Sequence, residues 1–197
     1  MKLRWKILKE LLDLMDKKYY DAVLWLEFVD PSDIPPDKRA KFKDALERWR
    51  KEAIKRNSDM FLRHALEVPE IKELYELLPG DDDKKITDLA KMTYEIIREA
   101  NSRYCSSIDN IAVSADSFSS LAMSAELNRC HHPDIGTFYL VIHSSKLPGS
   151  LSFAFYLSRD RDRAEERYKF FKEHVSKEKE LRRKMKEKLS EKQLLTA

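Results

Sequence analysis

Between Asn128 and Ser145 the chain reads NRCHHPDIGTFYLVIHSS and gathers the side chains best suited to moving a proton or holding a metal. His131 and His132 are adjacent and precede Pro133, and a third histidine, His143, follows in an apolar run. An unperturbed imidazole titrates near pH 6.5, so histidines converging on one pocket would suit acid/base chemistry in neutral solution. The plainer reading is that histidines at a helix end complement the macrodipole and bond the last carbonyls. Cys130 with the three histidines would supply four zinc ligands, but adjacent residues diverge and no C-x-x-C pair helps. Cys130 beside a histidine also has the makings of a nucleophile, although a buried inert thiol is commoner. The aspartates of GDDDKK, Asp81 to Asp83, read as helix caps and solvated charge.

The elements that must position these groups follow from periodicity. Leu3, Ile7, Leu8, Leu11, Leu12 and Met15 lie at helical spacing. DPSDIPPDKR breaks the chain and sets Pro36 as a first-turn helix residue. Phe42, Ala45, Leu46, Trp49 and Ala53 carry a helix on towards Leu66, and Pro69 opens a short one that stops at Pro79-Gly80. Ile86, Leu89, Ala90, Thr93, Ile96 and Ile97 mark the next. YCSSIDNIAVSA then reads as two short strands around Asp109-Asn110. Phe118, Leu121, Ala122 and Ala125 fall at i, i+3, i+4 and i+7, predicting a helix that starts near Ser114 or Asp116 and exits at His131. TFYLVIH and LSFAFYL, joined by SSKLPGS, form an expected hairpin, and Asp160 caps a last helix bearing Ala164, Tyr168, Phe171 and Val175.

The expected fold class is therefore α+β in three parts. Residues 1–83 make a helical N-terminal region. Residues 84–175 make an α-β-β-α-β-β-α domain whose single antiparallel sheet carries helices on one face. Residues 176–197 make a charged helical extension.

In this setting the chain resembles the pterin-4a-carbinolamine dehydratases. Their signature is a helix leading into His-His-Pro, then an aromatic residue six positions after the proline within a strand. Here His131-His132-Pro133 is followed by Tyr139 at that distance, and His143 stands where family members often carry a histidine. The family's Leu-Ser segment, its helix-opening aspartate and the alanine four residues on match Leu157, Ser158, Asp160 and Ala164. The resemblance covers roughly residues 84–175, with a matching motif of about 35 residues. It implies a metal-free, cofactor-free reaction in which a hydroxyl leaves the pterin 4a carbon as water. His131 and His132 would be acid and base, Asp160 a polar support and His143 a replacement imidazole. The family's third active-site histidine is missing, since that stretch reads Leu147, Pro148, Gly149 and Ser150. The family's glutamate four residues before the first histidine is missing too, Glu126 being five before.

Composition narrows the partners. With 38 basic and 35 acidic residues the formal charge is +3, which does not by itself call for nucleic acid. Three glycines in 197 residues argue against a Gly-rich phosphate loop. The apolar run from Ala22 to Val29 is interrupted by Glu27 and is far shorter than the roughly 20 residues a membrane span needs. The N-terminus lacks a signal-peptide pattern, and two cysteines make no disulfide framework, so a cytoplasmic setting is the simplest expectation. SKEKELRRKMKEK, residues 176–188, holds seven basic and three acidic residues, with Leu181, Met185 and Leu189 every four. Such a helix is either solvated through i,i+4 ion pairs or laid against a partner. The missing histidine favours a non-catalytic binding or assembly module that self-associates or holds a protein partner. Pterin dehydration and nucleic-acid binding through the basic helix are the alternatives.

Overall fold

The computed structural model describes residues 1–17, 23–63 and 65–196; Ala22, at the head of the apolar run, lies outside them. The predicted amphipathic helices are present: α1 (Leu3–Lys17), α3 (Lys43–Arg63), α4 (Pro69–Leu77) and α5 (Asp82–Tyr104), with a single helical turn, α2 (Pro36–Arg39), before α3. Pro36 and Pro69 open their helices, where a missing N–H costs nothing. Asp81 caps α5 by accepting from the Lys84 amide at 2.9 Å. The protein is α+β, and among the described residues no helix is long and apolar enough to cross a membrane.

Five antiparallel strands form one sheet in the order β1-β5-β4-β3-β2: β1 (Leu24–Val29), β2 (Cys105–Val113), β3 (Ala122–His132), β4 (Gly136–Leu147) and β5 (Ser150–Ser158). β1 comes from the apolar run of the N-terminal region and pairs with β5, so the sheet draws strands from both sides of residue 83. The expected β4–β5 hairpin is present, closed by Pro148 and Gly149 between the paired Leu147 and Ser150. Gly149 has φ +82, and a Cβ there would lie 3.0 Å from both Ile34 and Leu46.

Three expectations are corrected. The helix predicted between Asp116 and His131 is strand β3, so the order from α5 onward is α-β-β-β-β-α with α6 (Arg161–Thr196) last. The two short strands around Asp109-Asn110 are one strand whose register shifts between Ser107 and Asp109, a bulge standing where the turn was expected. Helices also cover both faces of the sheet. The register sets Trp25, Ala154, Val141, His143 and Ala125 on one face, where Trp25 and His143 meet Phe171 of α6. Phe153, Phe155 and His132 lie on the other, under Tyr94 of α5 and Trp5 of α1. Phe138 to His143 are consequently all buried, the mark of a central strand covered on both sides.

The two sheet edges differ. Asn57 of α3 closes the β1 edge: its Oδ1 accepts from the Glu27 amide and its Nδ2 donates to the Glu27 carbonyl, each at 2.9 Å. Arg56 adds an ion pair to the Glu27 carboxylate at 2.7 Å. At the β2 edge, α6 grips Asp109 from one face through Tyr168 (3.0 Å) and Lys172 (2.8 Å). Those contacts hold the Asp109 carboxyl below the usual carboxylate range, and burial together with Asp109 pushes the Tyr168 hydroxyl up.

Candidate functional site

His131 and His132 end β3 immediately before a tight turn, in which Gly136 has φ +88 and pairs with His132. Strand alternation sends the two rings to opposite faces. His131 is exposed, and its Nδ1 lies 3.0 Å from the hydroxyl of its cross-strand neighbour Thr137. His132 is only 2% exposed, its ring centroid 5.1 Å from Trp5 and 4.5 Å from Tyr104. Its Nδ1 accepts from the Asp134 amide at 3.0 Å, which places the proton of a neutral ring on Nε2. Nε2 is buried and meets no partner among the described residues. Burial holds the His132 pKa below its ordinary value, outweighing the attraction of Asp134.

His143 sits elsewhere. It pairs with Ala125, six positions along the strands from the His131–Thr137 pair, or about 20 Å at the usual strand rise. Its ring stacks on Phe171 at 4.8 Å, lies 6.1 Å from His174, and donates from Nδ1 to the Ser124 carbonyl at 2.8 Å. Burial lowers its pKa as well. Asp160 accepts from the amides of Asp162 (2.9 Å) and Arg163 (3.5 Å) and so caps α6. Behind it Ser158 donates to Asp16 of α1 at 2.7 Å, and Asp16 also accepts from the Arg159 amide at 3.0 Å.

The four candidates are thus not gathered. His132 faces the α1 side, His143 the α6 side far along the sheet, and His131 and Asp160 the solvent. Clefts of about 310 Å³, beside Leu74 and Ile96, and about 590 Å³, beside Arg39 and Arg50, take no lining from any of them. Cys130 is fully buried, as expected of an inert cysteine, but it is not a thiol: it is bonded to its register partner Cys105. A zinc site or nucleophile built on Cys130 would need that bond reduced. Among the described residues, no group of three or more histidine, cysteine, aspartate or glutamate side chains is arranged to hold a metal.

A buried polar group on α6 also lies within the basic stretch of residues 176–188. Arg182 of α6 is 4% exposed and spans the loop between β2 and β3. It donates to the carbonyls of Ser114 and Leu121, to the Ser119 hydroxyl at 3.4 Å and to Glu178 at 3.0 Å. Lys186 extends the same grip through Asp116 at 3.2 Å. Its position seven residues after Val175, in line with the buried face, was the available signal.

Beyond that grip α6 is exposed. Phe170 (63%), Leu181 (56%), Met185 (47%) and Leu189 (40%) are open to solvent, and from residue 183 to 196 every residue of the helix is exposed. No known protein family, curated protein or solved structure matches this chain.

Proposed function

We propose that the protein is a non-catalytic binding or assembly module that works through the exposed side of α6. The observation that carries this reading is a long helix, packed on the sheet through Ala164, Tyr168, Phe171 and Val175 and on the β2–β3 loop through Arg182, whose remaining surface exposes large apolar side chains among lysines. Clusters of exposed large apolar groups mark interaction sites. The histidines support it from the other side: separated on two faces, two of them held neutral by burial, they cannot act on one substrate. His131 and His132 lie on opposite faces of the sheet, where one pterin would not meet both, and the helix that should lead into His-His-Pro is a strand. A cytoplasmic setting belongs to the same reading, with the Cys105–Cys130 bond as the feature to check by thiol labelling of freshly lysed cells.

The test compares the full chain with a Leu181→Asp/Met185→Asp variant in four assays: sedimentation, duplex oligonucleotide anisotropy, anionic vesicle co-sedimentation and pterin dehydration. Association in one of the first three that the variant loses supports the reading. Pterin turnover, or no association anywhere, overturns it.

A further inference from the structure

The 36 residues of α6 span about 54 Å at the usual rise. At 3.6 residues per turn, Phe170, Leu181, Met185 and Leu195 share an arc of about 80°, roughly a third of a turn from the buried face. They are 63, 56, 47 and 87% exposed. Their arc lies towards β1 and β5, because on that flank Arg167 covers the Tyr156 ring and Phe171 meets Trp25. Trp25 is itself 42% exposed. Trp25 and Phe170 both stand against the buried Phe171 ring, at 6.3 and 5.6 Å centroid spacings, so strand and helix each contribute an exposed aromatic ring to this flank.

The order of residues along this arc is self-complementary. Leu181 and Met185 stand two positions either side of residue 183. Phe170 and Leu195 stand thirteen and twelve away. The charges follow the same centre: Glu178 and Lys188 are five positions either side of it, Glu173 and Lys192 ten and nine. Glu173, Lys188 and Lys192 make no ion pair among the described residues.

We propose that the occupant of this surface is a second copy of the chain, its α6 running antiparallel about a two-fold axis near residue 183. This rests on the reading of α6 as the working surface. Met185 of each copy meets the other's Leu181, and Leu195 reaches the other's Phe170 and Trp25. Lys188 meets Glu178 and Lys192 meets Glu173, each contact occurring twice by symmetry. The sheets lie towards opposite ends of the helix pair, and the contact is closed, so it yields a dimer and not a filament.

Sedimentation of the purified full chain over a wide concentration range tests this. The expected result is a monomer–dimer equilibrium that Leu181→Asp/Met185→Asp weakens at least about a hundredfold. Lys192→Glu alone should weaken it about fivefold, and Glu173→Lys/Lys192→Glu should restore it, since the pairs re-form with signs exchanged. These positions are exposed, and an unchanged circular dichroism spectrum of each variant verifies its fold. A monomer at every concentration overturns the proposal, as does a dimer indifferent to all these changes. A monomer that nevertheless binds duplex oligonucleotide or anionic vesicles through α6 overturns the second copy and leaves the binding reading standing; a monomer that binds neither overturns both.

Discussion

Two buried imidazoles make the folded state acid-sensitive. His132 and His143 both have folded-state pKa values lowered by burial, while the unfolded chain protonates near 6.5. Below that pH the unfolded state binds more protons, so stability falls as pH drops through about 6.5 and levels off only beneath the folded-state values. Thermal melts between pH 7.5 and 5 should show this fall, and His132→Phe should flatten it while keeping the packing against Trp5 and Tyr104. A profile that stays equally steep in the variant would show that His132 is not one of the groups responsible. The Cys105–Cys130 bond closes a sequence separation of 25, for which chain-entropy arguments give about 3.5 kcal/mol. Reductant should accordingly lower the urea midpoint without changing the native circular dichroism. At this scale the sequence identified unusual residues but not their company. Adjacent histidines look convergent on paper, whereas alternation in a strand parts them, and the cysteines become partners only through a cross-strand register that no local pattern reveals.

Among the elements, the grip of α6 on the β2–β3 loop is the most exposed to a single change. Arg182→Leu keeps the helix but takes the charged donor from the part-buried carbonyls of Ser114 and Leu121, at a cost of about 1–3 kcal/mol. Denaturant melts should show that loss, and amide exchange should rise first in residues 114–121. Asn57→Leu tests the other edge, because the Glu27 amide and carbonyl lose both partners; the predicted cost is about 1–3 kcal/mol. The helices were legible because each buries one stripe, as Ile86, Leu89, Ala90, Thr93 and Ile97 do on α5. β3 was not. Its Ala, Met, Glu and Leu favour helix, and Phe118, Leu121, Ala122 and Ala125 mimic a helical stripe. Both its faces are partly buried, so alternation is masked, and sheet pairing on each side overrides local propensity. The Asp116 carboxylate meanwhile accepts from the Phe118 and Ser119 amides, holding a turn where a helix would have begun.

For the whole molecule, the antiparallel sheet, the flanking helices and the charged last helix were all foreseeable from periodicity and composition. The union of both ends of the chain in one sheet was not, since β1 is six residues long and separated from β5 by more than a hundred positions. α6 is packed at its N-terminal half and uncovered at its far end, which the proposed second copy would cover. Amide hydrogen exchange along α6, measured at low and at high protein concentration, tests it most directly. Protection over residues 178–196 that grows with concentration, with the sheet unchanged, is the predicted result. Exchange over those residues that is fast and indifferent to concentration would contradict it.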